Sequence, residues 1–73
     1  DAIAIFRLNA EVFPESPGLH NSLGDAYSNA HLLNEALESY RTAVTLADAA
    51  GHPDLALYRA NLERTSQQLA HPR

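Results

Sequence analysis

The chain contains no cysteine, which excludes a disulfide framework and any thiolate metal site and leaves the redox compartment open. It contains no lysine: all five basic residues are arginines, scattered at Arg7, Arg41, Arg59, Arg64 and Arg73, against nine acidic residues and a formal net charge of -4. Nucleic acid and anionic membrane surfaces both require clustered positive charge, so neither is an expected partner. Long apolar runs are missing too. Nothing approaches the roughly 18 consecutive apolar residues of a membrane span, and the opening DAIAIFR lacks the charged start and long apolar stretch of a signal peptide. No membrane insertion is expected. Strand signals and Gly-rich phosphate loops are absent, as is the G-x-S-x-G elbow of a strand-to-helix nucleophile. Catalysis and cofactor binding are therefore not expected.

Four histidines are present, but His20, His31, His52 and His71 are placed at a helix start, two interhelical turns and the tail. They form no i, i+4 pair and no H-E-x-x-H, so capping or surface roles are expected and no metal site. At 73 residues the chain is one small domain, near the size where a single core barely outweighs chain entropy. It begins without methionine, directly in an apolar helical pattern, which gives the expectation of a piece cut from a longer protein.

What the chain has in abundance is helical periodicity. Ala2, Ile3, Phe6, Ala10 and Phe13 share one face of a first helix over residues 1–13, stopped by Pro14. Ser16-Pro17 reads as an N-cap followed by a first-turn proline. A second helix from about Pro17 to Ala30 then buries Leu19, Leu23, Ala26, Tyr27 and Ala30. His31 is expected to end it in a left-handed conformation. Asn34 is the expected N-cap of a third helix carrying Leu37, Tyr40, Val44 and Ala47, with Ala36 and Ala43 beside them, to Ala49 or Ala50. Gly51 supplies the stop and Pro53 the first turn of a fourth helix over 53–70, with Asp54 near its positive end and Leu55, Tyr58, Leu62 and Leu69 on one face. His71, Pro72 and Arg73 are expected to fray. The fold class is all-α, with about four helices.

The chain also repeats itself. A shift of about 34 positions lays Ala2 on Ala36, Ile3 on Leu37, Phe6 on Tyr40, Arg7 on Arg41 and Ala10 on Val44. More weakly, it lays Leu23 on Leu57 and Ala26 on Ala60. Leu23-Gly24-x-x-Tyr27 followed by Ala36-x-x-x-Tyr40 and Ala43 resembles the tetratricopeptide repeat, whose signature has this period and order. The resemblance covers nearly the whole chain. It implies an α-solenoid fragment of antiparallel helix-turn-helix repeats: residues 1–13 as the second helix of a partial repeat, 17–50 as one complete repeat, and 53–70 as a C-terminal capping helix. In that frame Gly24 allows close approach of the second and third helices, and Ala36, Ala43, Tyr27 and Tyr40 are packing residues. The pattern departs from the family at His20, where a large aromatic is usual, at Asp48, where a closing proline is usual, and in the fourth helix, where Tyr58 and Asn61 fill the glycine and tyrosine slots. A bulky Tyr58 there implies that no further helix packs beyond it.

The same resemblance implies a non-catalytic protein–protein interaction or scaffolding module that takes a protein or peptide partner. The alternative is an accessory or regulatory repeat domain attached to an upstream enzyme domain, since the wording FRLNAEVFPES more loosely resembles repeat extensions of bacterial multidomain proteins. In the family the first helix of each pair lines a concave groove. Here Asn21, Asp25, Ser28 and Asn29 recur on the polar side of the second helix, and asparagine amides can clamp a peptide backbone. The alternative for these four is a merely solvated face. Arg59 follows Asp25 by one repeat, so the two are expected to face each other as a surface ion pair. The subclass that grips terminal carboxylates uses lysine and asparagine where this chain has Asn21 and Asp25, and Asp25 would repel a carboxylate. Finally, the first helix lacks the partner helix of its own repeat, so Ile5, Leu8 and Val12, or part of the Phe6 and Phe13 stripe, are expected to stay uncovered unless an upstream helix or a second copy packs on them, the latter giving a homodimer.

Overall fold

In the computed structural model, which describes residues 1–71, four helices follow one another: α1 (Ala2–Val12), α2 (Pro17–Asn29), α3 (Leu33–Ala50) and α4 (Leu55–Ala70). The protein is all-α, and no strand occurs among the described residues. Fraying expected at Pro72 and Arg73 lies outside the described residues.

Each helix boundary has a local cause. Asp1 caps α1, its Oδ1 accepting the Ala4 N–H at 2.9 Å, a cap not anticipated from the sequence. Ser16 caps α2 through Leu19 N–H at 3.4 Å, with Pro17 at the first helical position. His31 takes φ +61° and closes α2: His31 N–H donates to Ser28 C=O (3.0 Å) and Leu32 N–H to Tyr27 C=O (2.9 Å), the paired bonds of a Schellman ending. Gly51, at φ +62°, closes α3 in the same way through Asp48 and Ala47 carbonyls.

Two starts differ from expectation. The N-cap of α3 is Leu32, without a side-chain cap bond, and Asn34 lies inside the helix. The Schellman ending hands Leu32 directly to α3, leaving no extra residue for a polar cap. Helix α4 begins at Leu55, not Pro53. Asp54 is its N-cap with no side-chain bond, and the Asp54 N–H instead donates to His52 Nδ1 at 3.1 Å.

Successive helices pack side by side and antiparallel, giving a slab of 35 × 28 × 13 Å. One buried cluster joins α1, α2 and α3 through Ala10, Leu23, Tyr27, Ala36 and Tyr40, with Ile3, Phe6 and Leu62 against it. A second joins α3 and α4 through Ala43, Ala47 and Tyr58, flanked by Val44 and Leu55. The expected close approach of α2 and α3 is present: a Cβ on Gly24 would sit 2.6 Å from the Tyr40 ring, a distance no relaxed side chain tolerates.

Several expected core positions are not buried. Ala2, Phe13 and Ala30 are exposed, because Phe13 has left the helix and Ala30 belongs to the turn. Leu57 and Ala60 are exposed although their repeat counterparts Leu23 and Ala26 are buried. In α2 those positions lie between two flanking helices, whereas α4 packs against α3 on one side only. Tyr58 is buried on the face it was expected to share with Leu55 and Leu62. It fills the α3–α4 seam against the small Ala43 and Ala47, with its hydroxyl close to Gly18.

Candidate functional site

The polar face of α2 meets α4 across the body of α3, and the side chains there are linked. Asn61 and Thr65 of α4 are buried, and burial of such groups is tolerated only when their hydrogen bonds are made. Here they are. Thr65 Oγ1 donates to the Asn61 carbonyl at 2.9 Å, back-bonding within its own helix. Asn61 Nδ2 donates to Asn21 Oδ1 at 3.0 Å, while Asn61 Oδ1 accepts from Arg64 Nη1 at 3.0 Å. Tyr40, wholly buried, donates its hydroxyl proton to Asp25 Oδ1, and the positive charge of Arg64 also acts on that hydroxyl. Two hydrogen-bonded groups, Asn21–Asn61–Arg64 and Tyr40–Asp25, thus adjoin in a polar strip over three helices, with Arg64 near enough to the Tyr40 hydroxyl to act on it electrostatically.

Electrostatics follow the same geometry. Burial pushes the Tyr40 hydroxyl well above the ordinary tyrosine range, and its bond to the Asp25 carboxylate adds to this, partly opposed by Arg64. Burial likewise raises Tyr58, with the nearby Asp54 carboxylate contributing. On the far side of α2, Arg7 Nη2 donates to the Tyr27 hydroxyl at 3.0 Å, which raises the arginine further.

The five residues singled out from the sequence divide. Asn21 and Asp25 are in the strip, half-buried and exposed respectively, and both spend an oxygen on it. Asn21 Nδ2 and the second oxygen of Asp25 have no hydrogen-bond partner among the described residues. Ser28 is half-buried one turn further on. Asn29 is exposed and borders a separate shallow depression with Asp1, Ala2, Ile3, Ala26 and Ala30. Arg59 does not meet Asp25. Its Nη2 lies 3.7 Å from Asp48 Oδ1 at the end of α3. Asp25 instead accepts from the Tyr40 hydroxyl, and Arg59 stands exposed on α4. Both members of the Arg59–Asp48 pair are mostly exposed, a geometry in which ion pairs contribute little.

Sequence reasoning missed Asn61 and Arg64. The available signal was an asparagine at an apolar position of the α4 stripe, flanked by Tyr58 and Leu62, which needs a polar partner if the stripe is buried. No group of three or more histidine or acidic side chains able to hold a metal occurs among the described residues, and no described helix is long and apolar enough to cross a membrane. The depressions at the ends of α1 and between α2 and α3 are shallow and open to solvent. Comparisons with protein-family models, with curated proteins and with solved structures found no match to this chain.

Proposed function

We propose that this chain is a non-catalytic protein-interaction module of the tetratricopeptide kind, which takes an extended protein or peptide segment across α2 and α4. The observation that carries the reading is the polar strip. Asn21 and Asp25 are held in place by Asn61 and Tyr40, yet each keeps hydrogen-bonding capacity unspent. Arg64 supplies further guanidinium donors beside them. An extended backbone presents alternating donors and acceptors, and an amide, a carboxylate and a guanidinium in one row can answer both. Side chains fixed by their own hydrogen bonds lose little freedom on binding, which favours affinity at a small site. The repeat of helix patterning supports the same reading, because stacked helix pairs form concave binding surfaces.

The test is selection of peptides displayed against the intact chain, followed by affinity measurement on variants. Asp25→Ala and Arg64→Ala should each weaken the selected peptides about tenfold, roughly 1.4 kcal/mol, with Glu63→Ala as the unaffected control. Equal affinity of all variants would rule out the strip as the binding surface.

A further inference from the structure

On the outer side of α1, Ile5, Leu8 and Val12, each 60% exposed, offer apolar surface alone. The depression between α2 and α3 differs, because it joins an apolar floor to polar groups that lack partners. Buried Leu23, Tyr27 and Ser39 form the floor, and exposed Asn34, Glu35 and Glu38 the rim. Glu35, Glu38 and Ser39 stand at i, i+3 and i+4, which sets them side by side on one face of α3. Ser39 is the telling residue. It is only 8% exposed, and a helical hydroxyl so placed can bond back to the carbonyl four residues earlier, as Thr42 does to Glu38 and Thr65 to Asn61. The Ser39 hydroxyl makes neither that bond nor any other among the described residues. No side-chain polar atom among them is sealed from solvent without a partner, so this hydroxyl opens into the depression.

We propose that this depression receives the side chain of an arginine on a partner protein, its methylenes lying on Leu23 and Tyr27 and its guanidinium donating to Ser39 Oγ and to the Glu35 and Glu38 carboxylates. Long basic side chains join an apolar stem to a charged head, and the floor and rim present surfaces to match. Arginine suits the site better than lysine, since acceptors on three side chains call for a fork of several donors. Two arginines of this chain touch the same groups, and both are engaged. Arg41 Nη1 pairs with Glu38 Oε1, and Arg7 Nη2 donates to the Tyr27 hydroxyl at 3.0 Å. Glu35 makes no hydrogen bond or ion pair among the described residues, and the second Glu38 oxygen is likewise unspent. The net charge of -4 draws cations toward the chain.

The site is modest. Its volume of about 370 Å³ lies near the small end of ligand clefts, which suits one side chain. Binding of an isolated arginine is accordingly weak, and the depression acts as a specificity pocket within a longer contact. It shares no residue with the α2–α4 strip, so either surface can fail without the other.

Titration of the full chain with N-acetyl-arginine amide, followed by amide chemical shifts, tests it. N-acetyl-citrulline amide, of the same shape but neutral, is the comparison, and circular dichroism verifies that each variant stays helical. The expected result is saturable shifts at Leu23, Tyr27, Glu35 and Ser39, with a dissociation constant of about 1–10 mM that rises with added salt. Glu35→Gln and Ser39→Ala should each raise that constant about threefold or more, while Glu63→Gln should bind like the parent. Shifts that never saturate overturn the proposal. So does citrulline binding as well as arginine, or either Glu35→Gln or Ser39→Ala binding as tightly as the parent.

Discussion

Gly24 and His31 show how much of this fold hangs on single backbone positions. Because a Cβ at Gly24 would lie 2.6 Å from the buried Tyr40 ring, Gly24→Ala must push the α2–α3 pair apart or drive Tyr40 off its rotamer. The expected loss is about 1–3 kcal/mol, read as a lower urea midpoint. His31 presents the opposite case. It holds φ +61°, a conformation that costs an L-residue roughly 1–2 kcal/mol, and its side chain is exposed with no hydrogen bond among those described. Glycine loses more entropy on folding but pays no steric penalty there. His31→Gly should therefore stabilise the chain by up to about 1 kcal/mol, visible as a raised melting temperature. Tyr40 links packing to pH. Its ionisation is displaced upward in the folded state, so the stability it contributes is fully present below the unfolded tyrosine value of about 10 and is lost as pH rises beyond it. Tyr58 is displaced in the same direction. The melting temperature should fall above about pH 10, and less steeply in Tyr40→Phe; a pH-independent melt to pH 11 would contradict this placement of the two rings.

Among the elements, α4 docks in a different way from the others. The α1–α2–α3 cluster is apolar and small-to-large in character, with alanines opposite tyrosines, whereas the middle of α4 docks through Asn61 and Thr65. Removing one partner of a buried hydrogen bond leaves the other unpaired. Asn61→Ala is expected to cost about 1–3 kcal/mol, and an Asn21→Ala, Asn61→Ala double-mutant cycle should show clear coupling. The same cycle for Asp48 and Arg59 should show at most about 1 kcal/mol.

This difference also explains what was legible in the sequence. Helices α1 to α3 could be placed from apolar spacing and from Ser16, Pro17, His31 and Gly51, because those signals act within a turn of the residue that carries them. The close approach of α2 and α3 at Gly24 was legible through the repeat, its contact with the Tyr40 ring only in the structure. The partner of Arg59 was not, since it depends on the assembled helices: Asp25 accepts from Tyr40, and Arg59 lies beside Asp48 at the end of α3. Pairing by repeat offset takes no account of a partner already engaged by a buried side chain, as Asp25 is by Tyr40. Asn21 and Asp25 could be identified as a polar face, but their partners Asn61, Arg64 and Tyr40 are known only once three helices are assembled.

For the molecule as a whole, the slab has two kinds of free surface: an apolar seam on the outer side of α1, and the polar strip that joins α2, α3 and α4. The packing residues Gly24, Tyr27, Ala36 and Tyr40 are buried between them and hold the strip's geometry without offering much surface of their own. The central claim is that the strip is where a partner binds. Amide chemical-shift mapping with a peptide selected on the intact chain tests it most directly. The largest perturbations are expected to cluster at Asn21, Asp25, Asn61 and Arg64 while α1 stays unmoved. Perturbations confined to Ile5, Leu8 and Val12 of α1, with none along α2 and α4, would contradict it.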